Sequence, residues 1–358
     1  MSDPQALEAR ANPWLFGLGP AEATLLRAWR SGRMPHAWLI TGPRGVGKAT
    51  LAHRFARFVL SGGDGGQGML LGPPPEDLQD ESPGARQIAA GGHPDLRVVV
   101  RTVGDTGRLR QEIVVGDIRD LGQFLHLTPA AGGWRVAVID PADDLNRNAA
   151  NALLKVLEEP PANALLLLTS HSPGRLLPTI RSRCRRLALE PLPAATVADG
   201  LRRLRPDLDP DAVPILVQLA EGAIGRAVSL ADLDGVAAWR DLLALLGRWP
   251  ALDLPPVIAW ADRFGRQGEA EAFTLARELL SGLLARVVAV GAGRALPEAA
   301  PGELAVTRRL AQGARLDRWV ALWEKTNDLF ARADGLDLDR KHALLSSLLA
   351  FETVASDG

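Results

Sequence analysis

Apolar positions follow two different rhythms along this chain. Up to about residue 190, short runs of large aliphatic residues alternate with stretches of helical period, which predicts an α/β domain with a parallel sheet. The runs 37–41 (AWLIT), 96–101 (LRVVVR), 134–140 (WRVAVID), 164–169 (ALLLLT) and 186–189 are predicted as buried strands. The run 148–159 (NAANALLKVLEE) sets Ala150, Leu153, Leu154 and Leu157 at i, i+3, i+4 and i+7, one face of a helix. Pro160 and Pro161 stop it. Within this first domain, 1–190, residues 61–92 are rich in Gly, Pro and acids without periodicity and read as a mobile insertion.

Beyond residue 190 the strand pattern disappears. Residues 191–234 read as a small domain of three short helices, punctuated by Pro206, Pro210, Pro214 and Gly222. From 235 to 358 the pattern is helical throughout, with candidates at 236–247, 255–264, 269–290, 303–312, 316–333 and 339–353. Leu322, Leu329, Leu345, Leu348 and Leu349 form apolar stripes there. Helical spacing alone leaves open whether they bury within the chain or against a partner.

Composition narrows the function classes. With 47% hydrophobic and 23% charged residues the chain is globular and not disordered. The 41 basic and 42 acidic side chains nearly cancel, so no global field announces nucleic acid or an anionic membrane. The run LLSGLLARVVAV (279–290) is interrupted by Arg286 and is too short to span a bilayer. The N-terminal MSDPQALEAR lacks the apolar core of an export signal, which predicts a cytoplasmic chain. The single cysteine, Cys184, forms no internal disulfide, and six scattered histidines lack metal-ligand spacing, so no metal site is expected.

The chemistry concentrates after the first strand. LITGPRGVGKAT puts Gly42, Pro43, Arg44, Gly45, Val46, Gly47, Lys48, Ala49 and Thr50 between a strand and an amphipathic helix, the setting of a phosphate-binding loop for ATP or ADP. Glycines let backbone N–H groups turn toward a polyphosphate, the helix N-terminus adds its positive end, and the lysine reaches the outer phosphates. Only four of the 41 basic residues are lysine, yet Lys48 is one of them. The pattern is degenerate, because Ala49 stands where a hydroxyl should ligate Mg²⁺. Thr50 is turned about 100° further around the helix. Asp140, at the end of the strand WRVAVID, is the expected second acidic element, but its neighbour Pro141 cannot polarise a water. Asp143 and Asp144 read as an acidic turn leading into the next helix. The two departures predict a poor ATPase or none.

The phosphate loop, the run VAVIDPADDLNRNAANALLKVLEEPP and the run LLPTIRSRC together resemble the delta-prime subunits of the bacterial DNA polymerase III clamp loader, in the AAA+ superfamily. The resemblance is dense over residues 34–190. It implies a P-loop AAA+ domain with a parallel sheet, a small helical lid and an all-helical C-terminal collar. It implies that Arg183, in Ser182-Arg183-Cys184, is an arginine finger projecting into the ATP site of an adjacent subunit. It also implies assembly with ATPase motor subunits and a delta-type subunit, with DNA and the sliding clamp met through the complex.

Where family members bind zinc through cysteines in the insertion, residues 61–92 have none, so zinc is not expected. Gly225 falls where motor subunits carry a nucleotide-sensing arginine, and Arg226 follows one place late. Two readings compete with a non-hydrolysing subunit. One is an active AAA+ motor, with Thr50 and Asp143 replacing the missing groups, and the other is a small-molecule P-loop kinase.

Overall fold

The computed structural model describes residues 9, 10, 12, 14–63, 87, 88, 90–104, 109–130, 133–266, 270–336 and 339–356. Most of the predicted insertion, 64–86 and 89, lies outside the described residues. The chain divides into two compact units, one running to Thr196 and including Ala223–Gly225, the other comprising Val197–Gly222 and the remainder from Arg226.

In the first unit, α1 (Gly19–Arg30) precedes β1 (Ala37–Thr41) and α2 (Lys48–Leu60). Then come β2 (Leu96–Val99), α3 (Val115–His126), β3 (Arg135–Ile139), α4 (Arg147–Glu158), β4 (Ala164–Ser170), α5 (Pro178–Arg183) and β5 (Arg185–Ala188). The five strands form one parallel sheet in the order β2-β3-β4-β1-β5. This is the α/β fold with a parallel sheet that the sequence predicts, with each strand within two residues of its expected bounds. The sequence reading names no helix ahead of β1, where α1 now stands.

Burial explains why the strand pattern was continuous and not alternating. β1, β3 and β4 are buried at every position, and Leu165, Leu166, Leu167 and Leu168 have no exposed surface. Central strands of a parallel sheet are covered on both faces, so they read as near-continuous apolar runs, and buried Arg135 at the start of β3 is paired with Asp95 at 3.5 Å. A fully buried leucine contributes about 1.5–3 kcal/mol. β5 lies at an edge and reads exposed, exposed, buried, exposed, with Arg185 and Arg186 blunting it. α4 covers the sheet with Ala149, Ala150, Leu153, Val156 and Leu157, and Asn146 caps its N-terminus by accepting from the Ala149 amide at 2.9 Å.

Sheet register positions the site. β1 and β4 align Thr41 with Ser170, and β3 and β4 align Ile139 with Leu168. The residue after Ile139 is Asp140, so the acid, Thr169, Ser170 and the loop leaving Thr41 share one row at the carboxyl ends of the strands. That edge is where ligand sites form in open parallel sheets.

The second unit is helical. α6 (Ala194–Leu204) leads into it, followed by α7 (Ala212–Ala220), α8 (Ile224–Asp232), α9 (Gly235–Leu246), α10 (Leu254–Phe264), α11 (Ala270–Gly291), α12 (Glu303–Gly313), α13 (Leu316–Leu336) and α14 (Arg340–Ser356). α11 packs against α12 and α13, and α14 against α10 and α13. The core is aromatic: Trp319 lies 5.9 Å from Trp249 and 5.8 Å from Phe351, ring centre to ring centre. The Trp249 indole N–H donates to the Phe351 carbonyl at 2.8 Å, which satisfies the one polar atom of that ring. Leu322 and Leu348 are buried within the chain, so these two positions of the stripes pack internally. Leu254, Ile258, Leu316 and Trp323 are exposed instead. Among the described residues no helix is long and apolar enough to cross a membrane.

Candidate functional site

The loop from Gly42 to Lys48 joins β1 to α2. Gly42, Gly45 and Gly47 have φ of 152°, 80° and 104°. At Gly42 the absence of a side chain is obligatory, because a Cβ would lie 2.5 Å from the Leu189 carbonyl oxygen. Gly47 caps α2 with no side chain, which leaves the amides of the first turn facing the loop.

Lys48 is 4% exposed, and its ammonium donates to the carbonyls of Gly42 at 2.8 Å and Pro43 at 2.6 Å. Burial lowers its pKa to about 8; Asp140 and Asp143 oppose that shift and Arg44 adds to it. Arg44 is exposed, Val46 is buried and Ala49 is half-buried. Thr50 is buried at 9% exposure, inside the α2 contact face.

The acidic residues are engaged by the protein itself. Asp140 Oδ1 accepts the Thr169 hydroxyl at 2.5 Å. Asp143 Oδ1 accepts from the Ser170 hydroxyl at 2.9 Å and the Ser172 amide at 3.1 Å, and its Oδ2 from the His171 amide at 2.6 Å. Asp143 therefore pins the segment leaving β4. Asp144 pairs with Arg101 at 3.1 Å. His171 is exposed as a residue, yet desolvation of its ring and the Lys48 and Arg44 cations lower its pKa to about 4, against Asp143.

Arg183 ends α5 and makes its contacts elsewhere. Its guanidinium meets Glu158 Oε1 at 2.8 Å and donates to the Thr179 carbonyl at 3.1 Å, with 35% of the side chain exposed. Cys184 is buried among core residues that include Leu176 and Ile180, and burial pushes its thiol up to about 12. It packs and does not act as a nucleophile. Gly225 belongs to the first unit, where its amide donates to the Gly45 carbonyl at 2.8 Å. A Cβ at Gly225 would come within 3.0 Å of the Gly45 Cα. Arg226 is held in the second unit by Glu221 and Glu278, at 3.3 and 3.6 Å.

The structure thus brings Lys48, Asp140 and Thr169 together with the phosphate loop. It adds two features that sequence reasoning missed: the three-donor grip of Asp143, and the pairing of Arg183 with Glu158. The hydroxyl-rich run TSHS was the available signal for the first.

A nucleoside phosphate fits this cradle. The loop amides, the α2 N-terminus and Lys48 would hold it. A magnesium ion does not fit: Ala49 offers a methyl, Pro141 no donor, and Asp143 and Asp144 are engaged as above. Among the described residues no group of three or more His, Cys, Asp and Glu side chains is placed to hold a metal ion.

Residues 20–193 match the family model described as DNA polymerase III, delta subunit. The chain is 39% identical over 189 residues to the DNA polymerase III subunit delta′ of Pseudomonas aeruginosa, covering 52% of this chain and 53% of that one. It is 31% identical over 233 residues to the delta′ subunit of Escherichia coli, covering 65% of each. The tau subunit of Escherichia coli matches at 32% over 225 residues, covering 60% of this chain and 32% of that one. These matches therefore span between about half and just under two thirds of the length of the delta′ relatives. A DNA polymerase III gamma subunit-related protein of Thermotoga maritima aligns over 94% of this chain and 99% of its own, at 16% identity and a TM-score of 0.43, too remote to bear on function. The match of residues 20–193 and these sequence relatives together make the chain similar to the delta′ subunits of DNA polymerase III.

Proposed function

We propose that this chain is a largely non-hydrolysing subunit of a clamp loader, which docks beside an ATPase subunit and completes that neighbour's site with Arg183. The carrying observation is the contrast between its two pieces of machinery. Its own acidic groups are engaged by Thr169, Ser170 and two backbone amides. Arg183, by contrast, sits at the end of a short helix, one third exposed, held by a single exposed carboxylate and one carbonyl. Surface pairs of this kind contribute about 0–1 kcal/mol, so a triphosphate on a neighbour can displace Glu158 at little cost.

In this reading residues 1–190 form the AAA+ domain, 191–234 a lid and 235–358 a collar that joins ATPase motor subunits and a delta-type subunit. The exposed Leu254 and Ile258, one turn apart on α10, are the apolar surface most open to such contact. ATP or ADP would occupy the phosphate loop. DNA and the sliding clamp are reached through the assembly, in the cytoplasm, because the chain's own charge is balanced.

The test is the DNA- and clamp-stimulated ATPase of the reconstituted loader carrying Arg183→Ala, after equal assembly has been verified. A trans-acting arginine is worth about 10³–10⁵ in rate, or roughly 4–7 kcal/mol. The neighbouring site's share of turnover should fall by at least about a hundredfold. Unchanged turnover in an intact complex would reduce the chain to a passive scaffold. Turnover by the isolated chain would favour the active-motor reading.

A further inference from the structure

The phosphate loop has kept everything that binds an anion and lost what binds the accompanying cation. On the anion side, the three left-handed glycines, the uncapped start of α2 and buried Lys48 are all present. The resting partners of Lys48 are two neutral carbonyls, which a phosphate oxygen can replace with a gain in charge complementarity. Arg44 and Lys48 supply two positive charges beside the loop, close enough that each depresses the protonation of His171.

On the cation side, magnesium requires near-octahedral oxygen ligation, built from one or two carboxylates together with phosphate oxygens and water. The hydroxyl that would anchor it is replaced by the Ala49 methyl. Asp140 Oδ1 accepts the Thr169 hydroxyl at 2.5 Å, so one of its oxygens is already engaged by the protein. Both oxygens of Asp143 serve donors from the segment after β4, and turning either one to a metal would break a hydrogen bond that holds this segment. Asp144 faces Arg101.

We propose that this site takes a nucleoside diphosphate or triphosphate without magnesium, its charge met by Lys48, Arg44 and backbone amides alone. The proposal deepens the nucleotide reading given above and rests on it. It also gives a physical reason for the weak or absent hydrolysis proposed above: with no metal bridging the outer phosphates, the charge that develops in phosphoryl transfer has no local counter-ion.

The experiment is calorimetric titration of the full-length chain with ADP, once in excess EDTA and once in millimolar magnesium chloride, with Lys48→Ala as the control. Binding without the metal predicts an affinity in magnesium no tighter than in EDTA, weakened as magnesium sequesters ADP, and a loss of at least about tenfold in the variant. In a parallel titration with Mn²⁺ as the probe, the electron paramagnetic resonance of the manganese–ADP complex should remain that of the free complex. A gain of about tenfold or more with magnesium would overturn the proposal while leaving the nucleotide site standing. Absence of binding under both conditions would bring down the nucleotide reading with it. Binding unaffected by Lys48→Ala would place ADP elsewhere and defeat the proposal too.

Discussion

Asp143 separates a structural carboxylate from a hydrolytic one, and the two roles predict opposite results for Asp143→Ala. In the structure this side chain accepts three hydrogen bonds, from the Ser170 hydroxyl at 2.9 Å, the Ser172 amide at 3.1 Å and the His171 amide at 2.6 Å. Bonds to a charged acceptor contribute about 1.5–3 kcal/mol each when their partners cannot find water. Two of the three lie near the surface, where water substitutes, so the loss should be about 2–4 kcal/mol in total. For a unit of this size that corresponds to a fall in melting temperature of roughly 5–15 °C. Asp143→Asn keeps one acceptor oxygen and should cost about half as much.

Because the chain has two compact units, a single melting curve mixes them, and the cleaner assay is hydrogen exchange at the amides of His171 and Ser172. Protection there should collapse in Asp143→Ala while the amides of β1 and β3 keep theirs. If the variant instead retained protection and stability within about 0.5 kcal/mol yet lost ATP turnover, Asp143 would be a hydrolytic acid and the pinning argument would be wrong.

Two pH dependences follow from buried basic groups. Lys48 loses its proton through about pH 8 in the free chain, so its attraction for phosphate fades as pH rises past that point. ADP affinity should accordingly weaken between pH 7 and pH 9.5, by up to about tenfold per unit above pH 8, and a flat profile over that range would contradict the role given to Lys48. His53, 1% exposed with neither ring nitrogen hydrogen-bonded, has its pKa lowered from 6.5 to about 4 by burial, with Arg10 and Arg57 adding to the shift. The folded ring stays neutral while the unfolded one protonates, so stability is lost as pH falls from 6.5 towards 4. At pH 5 the loss amounts to about 2 kcal/mol, and His53→Leu should remove that much of the difference between urea melts at pH 7 and pH 5.

Local chemistry was legible in the sequence. Strands covered on both faces are apolar at nearly every position, so AWLIT, WRVAVID and ALLLLT announced themselves as buried strands without any knowledge of their neighbours. The glycine spacing before Lys48, the methyl at Ala49, the proline after Asp140 and the SRC run are likewise facts of adjacent residues. What each polar side chain does was decided by partners far along the chain. Asp143 grips a segment 27 to 29 residues away, and Asp140 meets Thr169 at a separation of 29 because sheet register aligns Ile139 with Leu168. Glu158 reaches Arg183 only because α4 and α5 pack together. Arg226 turns to Glu221 and Glu278, and Leu322 and Leu348 go inward although their spacing fits an outward stripe equally well. Periodicity records which face of an element is apolar, but a carboxylate's role depends on which donors the tertiary fold brings within about 3 Å of it, and no local pattern encodes that distance.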